Sequence, residues 1–288
     1  MRTPKVDPFK LWQGEDIRFP GGACDCLVTG LSFSLYEKIP SSGWSNSGDQ
    51  VNMDSLRDID VTFDFRSDTP PGRDPDALSP TLRRYHKILW SKPLPSGAIF
   101  ELNDTTPHVY LHHRSELGEF FLSSDAVIPT FSREPRLSHI IDTMTGEERE
   151  AFHGIGYTIG GMMVFPGNRI GRKMTINAAR GFHPRIKDRF DLTVECIRRH
   201  YRNQLSPLSD PLRRYADFFG LFGDFRGYVE FFLLQDLVTV DCSAVIFFMP
   251  FEDFNTSPLP GSTEAYRAYR QVAVDFIKAR NHRIRKSC

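Results

Sequence analysis

The sequence predicts an α+β fold, a single compact domain with helices packed against a mixed or antiparallel sheet. Three observations lead there. Apolar or alternating runs of strand length recur without the regular strand–helix alternation of a parallel sheet. Amphipathic segments of helical spacing lie between them, two with recognisable start signals and a third at residues 262–284. Hydrophobic residues make up 40% of the 288, and Phe occurs 24 times, which is enough to fill a sizeable core.

Residues 1–57 stand apart from the domain expected over 58–288. They hold Gly21-Gly22 and the run from Ser41 to Gly48, with only short apolar pieces. Such a segment buries too little apolar surface to offset its ordering entropy, so a loosely structured N-terminal extension is expected, with one strand near 27–35. Cys24 and Cys26 lack the second pair that a zinc site would need.

Residues 59–65, IDVTFDF, alternate as a strand with one apolar face. A loop rich in Pro, Gly and Asp follows. Ser79-Pro80 then starts a helix, with Leu82, Tyr85 and Leu89 on one stripe and His86 one step off it. Strands are expected at 98–102, 109–113 and 119–123. His112 and His113 would face opposite sides of their strand and could not share a metal. Thr145 and Glu148 form a capping-box pattern for a helix over 146–153.

A buried strand is expected over 157–165, a turn-rich loop over 166–173 and a short strand over 174–176. Residues 177–183 read as a tight loop holding Arg180 and Gly181. Pro184 is expected to open a helix to about 201, with Ile186, Phe190, Val194, Ile197 and Tyr201 as its buried stripe. Further helices are expected over 210–222 and 224–238, then a buried strand over 244–249. The helix at 262–284 places Tyr266, Tyr269, Ala273, Phe276 and Ile277 on one face.

Lys and Arg number 36, as do Asp and Glu, so the formal net charge is zero. That balance argues against a chain built wholly for nucleic acid or an anionic membrane. No apolar run reaches the ~18 residues of a membrane helix. The N-terminus has no apolar signal core, and five scattered Cys fit reduced thiols, so a cytoplasmic protein is expected. Cys196 falls beside a buried stripe and reads as core. No P-loop, dinucleotide fingerprint or nucleophile elbow is present. Cofactors are unassigned, and no metal ligands are proposed.

The charge is nevertheless uneven. Ten basic residues lie between Arg169 and Arg202, among them Arg172, Lys173, Arg185 and Arg199, against three acids, Asp188, Asp191 and Glu195. An Arg fork suits phosphate or carboxylate, and a helix opening at Pro184 would add free N–H groups and a positive dipole end. Arg169, Lys173, Arg180 and Arg114 are therefore the expected anion-binding residues. Arg180, with Arg169 or Lys173, would hold the anion, Asn177 would orient it, and His86 or Glu195 would move a proton. Asp125 is another polar residue beside buried-looking elements. Glu195, four residues before Arg199, also supports an ordinary helix ion pair.

The segments LSPTLRRYHKILWSKPLPSG, YTIGGMMVFPGN, MTINAARG and IKDRFDLTVECIRRHY together resemble an uncharacterised family of bacterial proteins of unknown function. The resemblance covers about residues 60–284 and implies one family domain there. It implies no activity, and Ala178 stands where the family tends to have Gln. The expected function is an intracellular enzyme acting on a phosphate-bearing substrate, a nucleotide or nucleic acid. The alternative is a non-catalytic module that binds nucleic acid or an acidic partner.

Overall fold

The computed structural model describes residues 59–128, 131 and 134–287. The expected extension over 1–57 and the Cys24–Cys26 pair lie outside the described residues.

A single turn, α1 (Pro75–Leu78), is capped by Asp74, whose side chain accepts from the Asp76 amide. Next, α2 (Pro80–Trp90) starts where the sequence says it should: the Ser79 hydroxyl accepts from the Leu82 amide at 3.1 Å. Leu82, Tyr85, Leu89 and Trp90 are buried. A two-residue pair, β1 (Lys92–Pro93) and β2 (Ile99–Phe100), closes the turn after it.

The larger sheet has the order β3 (Leu111–Ser115), β4 (Gly118–Ala126), β5 (Met162–Pro166), antiparallel throughout. Its register sets Arg114 opposite Glu119 and Asp125 opposite Met163. Between β4 and β5 run α3 (Ser138–Ile141) and α4 (Gly146–Gly156), the latter with both hydrogen bonds of the Thr145–Glu148 capping box. Every residue of β5 is buried.

The C-terminal half is helical: α5 (Ile176–Phe182), α6 (Phe190–Tyr201), α7 (Ser209–Arg214), α8 (Ala216–Gly220), α9 (Phe225–Phe231) and α10 (Thr263–Ser287). The protein is thus α+β, with small antiparallel sheets and helices around one apolar core. The stripe expected on α10 is buried, and so are Arg280 and Asn281 on the same face.

Asn281 Oδ1 accepts from the Gly160 amide at 2.7 Å, and Arg280 donates to the carbonyls of Gly160 and Met162 at 3.0 and 2.7 Å. A Cβ on Gly160 would run into Asn281 and the Ile277 carbonyl, so glycine is what lets α10 come this close.

Several expected elements are absent. Residues 59–65 form turns, because Asp60 and Asp64 accept from the amides of Thr62 and Arg66 at 2.8 and 3.0 Å. Such side-chain-to-backbone bonds outcompete a strand ladder. Residues 174–176 are no strand: Thr175 caps α5, accepting from the Ala178 amide at 3.3 Å. The expected loop 177–183 is therefore helix, with a short turn after it.

Pro184 opens no helix. Lys187 and Asp188 adopt φ of 49° and 66°, which breaks the chain there and delays α6 to Phe190. Residues 157–165 divide into a 3₁₀ turn at Ile159–Gly161 and β5. The helices at 210–222 and 224–238 divide too, at Tyr215 and after Phe231. Residues 244–249 make one isolated bridge, Val238 to Val245, and no strand.

Of the expected stripe, Ile186, before α6, and Phe190, Val194 and Ile197 on it are buried, while Tyr201 is half-buried. Phe190 packs at 6.1 Å between ring centroids from Phe276 of α10. Phe190→Ala is expected to cost ~3–5 kcal/mol through lost burial and a cavity. Arg202→Ala, at an exposed position, should stay within ~0.5 kcal/mol of wild type. Urea midpoints measured side by side check this, and equal midpoints would contradict the assigned face.

Candidate functional site

The short helix α5 carries Asn177 and Arg180 three residues apart, so both face β4. Asn177 Nδ2 donates to Ser123 Oγ at 3.1 Å and to the Ser124 carbonyl at 3.4 Å. One residue along β4, Asp125 Oδ2 meets Arg180 Nη1 at 2.5 Å. Asp188 Oδ1 meets the same nitrogen at 2.8 Å. Arg180 Nη2 donates to the Asp188 carbonyl at 2.8 Å, and Nε to Thr193 Oγ1 at 3.2 Å. The guanidinium lies 5.7 Å from the centroid of the Phe165 ring.

Arg180 is wholly buried, whereas the side chains of Asp125 and Asp188 keep 25% and 38% of their surface exposed. The cation is sealed behind its carboxylates, and the carboxylates line the solvent-facing side.

Two more acids join them from α1. Asp76 is driven well above the usual carboxylate range by burial first, then by Asp74, Asp125 and Asp188, with Arg180 opposing. Burial likewise raises Asp74. Asp125 is pushed up to about 7, by burial against the pull of Arg180, with Asp188 and Asp74 adding to the rise. Tyr157 is raised by burial and then by the same acids, so its phenol stays neutral. One guanidinium cannot neutralise four carboxylates, so protons are retained near neutral pH. Asp76 Oδ1 and Asn177 Oδ1 are buried acceptors that no described donor satisfies.

Arg180 therefore departs from the sequence reading. It sits in the last turn of α5 and bonds Thr193 in the first turn of α6, and two carboxylates already occupy its donors. Asp188 returns to it through the turn after α5, and Asp125 lies 55 residues away in β4.

His86 is corrected as well. It is fully buried, its Nδ1 accepting from Trp90 Nε1 at 3.0 Å and its Nε2 sharing a 2.9 Å hydrogen bond with Ser124 Oγ. Burial, then Arg83 and Arg280, push it down to about 3, so its imidazole stays neutral near neutral pH.

Glu195 is buried between Arg198 and Arg199, at 2.7 and 2.8 Å, as a structural ion pair. Arg114 is exposed on β3, and Arg169 and Lys173 are exposed in the loop before α5. None of the three is bonded into the Arg180 cluster.

Of the expected site residues, only Asn177 and Arg180 come together, joined by Asp125 and Asp188, which the sequence marked as polar residues without giving them a role in the site. Asp74 and Asp76 were the missed partners, and their closeness beside a helix start was the one local sign of them. Among the described residues, no group of three or more His, Cys, Asp or Glu side chains is placed to hold a metal ion. Nor is any described helix long and apolar enough to cross a membrane.

Fold and site together define an α+β protein with a carboxylate cluster around a buried arginine. The chain belongs to the DUF6994 family, a family of unknown function, whose model matches residues 59–284. No curated protein and no solved structure matches it.

Asp125 binds its proton more tightly in the folded chain than in the unfolded one. Its ionisation thus erodes stability as pH rises from about 4, the unfolded value, through about 7. Asp125→Asn removes that loss. Its stability relative to wild type should climb between about pH 5 and about pH 8. Urea unfolding at each pH measures the difference, and a constant difference would contradict the assignment.

Proposed function

We propose that this protein is a cytoplasmic enzyme that moves protons with the carboxylate cluster around Arg180. Its substrate is neutral or cationic and carries hydroxyl or amine donors. The observation that carries the reading is the gathering of Asp125 and Asp188 on one buried guanidinium, with burial and the neighbouring acids raising Asp125 above the usual carboxylate range. Asp125 gives or takes the proton. Asp188, held on Arg180, supplies the neighbouring acid.

Asn177 Oδ1 borders the cluster and has no described donor, and a substrate hydroxyl or amine supplies one. A phosphate-bearing substrate, the class expected from sequence, would meet the negative charge of the cluster before reaching the occupied guanidinium. The free thiols of Cys196 and Cys242 support the cytoplasmic placement.

Chromogenic 4-nitrophenyl glycosides and esters, beside 4-nitrophenyl phosphate, test the reading across about pH 5 to about pH 8. A neutral substrate should be turned over with an apparent pKa near the Asp125 value. Asp125→Asn should lower that turnover by about 10²-fold or more. Turnover of the phosphate alone, or an unchanged profile in Asp125→Asn, would overturn it.

One observation favours a second reading, a polyanion-binding module. Arg169, Arg172 and Lys173 are exposed and make no side-chain hydrogen bond or ion pair with any described residue, and Ile170 and Met174 beside them are 39% and 54% exposed. In that reading, a fluorescent single-stranded oligonucleotide binds with a steep salt dependence. Replacing Arg172 and Lys173 with Glu should flatten the slope of log affinity against log salt by about 1.4, at ~0.7 per lost phosphate contact. An unchanged slope removes this alternative.

A further inference from the structure

Lys92 stands at the start of β1, directly after α2, and its side chain turns toward α9. Its Nζ donates to the Phe231 carbonyl at 2.5 Å, where α9 ends. It also lies 4.6 Å from the Phe231 ring centroid and 5.2 Å from that of Trp90. Lys92 lines a cavity of about 660 Å³ together with Leu94, Pro95, Phe222 and Phe231, with Glu230 among its polar residues. That volume falls within the ~300–1,000 Å³ typical of small-molecule sites, and apolar side chains share the lining with the charged Asp224, Arg226 and Glu230.

The charges around Lys92 do not neutralise it. Arg280, from α10, is wholly buried and lies 5.8 Å from the same Trp90 ring. Asp224 spends one carboxylate oxygen on the Gly227 amide at 2.8 Å, and Arg226 and Glu230 face each other at 4.0 Å. No described carboxylate pairs with Lys92. Burial first, and Arg280 second, bring its ammonium down to about 8. A backbone carbonyl accepts from an amine as well as from an ammonium, so the Phe231 contact survives loss of the proton.

We propose that Lys92 is a nucleophilic amine in this cavity and captures a small apolar aldehyde or ketone as a Schiff base. The neutral amine attacks the carbonyl carbon and forms the C–N bond. The carbonyl oxygen takes up protons and leaves as water while the nitrogen sheds its two, giving the imine without any oxidant or reductant. The apolar wall of Leu94, Phe222 and Phe231 selects the hydrocarbon part of the ligand. This site is separate from the Arg180 cluster, and it stands or falls independently of the acid–base reading.

The test is reductive trapping of wild-type protein with benzaldehyde and cyanoborohydride at about neutral pH, followed by peptide mapping. Lys87, exposed on α2, is the internal reference. Lys92 should be benzylated on the order of tenfold faster than Lys87, since its larger amine fraction outweighs its lower intrinsic nucleophilicity. Its rate should also saturate with benzaldehyde concentration. Labelling of Lys92 no faster than Lys87, or a rate that stays linear in benzaldehyde, would overturn the proposal.

Discussion

The burial of the Arg180 guanidinium is the constraint around which β4, α5 and α6 are arranged. A buried cation stripped of water must recover its hydration from fixed partners. Here four groups from three places do so: Asp125 of β4, both the carboxylate and the backbone carbonyl of Asp188 in the turn after α5, and Thr193 of α6. Strand, turn and two helices are thereby tied to one side chain. The positive φ of Asp188 has its account in the same network, because both its carbonyl and its carboxylate must point back at Arg180.

A second buried guanidinium, Arg280, is solvated differently. It meets only carbonyl oxygens, those of Gly160, Met162 and Phe232, apart from a weak contact with the sulfur of Met163. In doing so it joins α10 to the turn before β5 and to the end of α9.

Both cations pull the pKa values of their neighbours down, but they sit in different surroundings. Around Arg180, an excess of acids leaves carboxyl groups partly protonated near neutrality. Around Arg280, uncompensated positive charge adds to burial, so His86 is held neutral and Lys92 loses its proton more readily. The chain balances its charge globally and separates it locally, and the perturbed acids and bases at both places follow from burial and that separation.

Elements with strong local signals were legible in the sequence. The Ser79 cap, the Thr145–Glu148 capping box, the strands around 109–123 and the long stripe of α10 all form near where they were read. Their hydrogen bonds and periodicity involve residues a few positions apart. Elements whose outcome rests on a competing side chain were misread. Asp60 and Asp64 turned an alternating run into turns, and Thr175 made a helix of an apparent loop.

By itself, the sequence determined the α+β class, the buried stripe of α6 and the likeness to a family over most of the chain, because each is written in local pattern. Only the tertiary structure decided what Arg180 does. Its acid partner in β4 lies 55 residues away, and Asp76 approaches from a different helix. A string of basic residues reads as an anion site until the fold delivers carboxylates to it, and no local pattern records which distant acids will arrive.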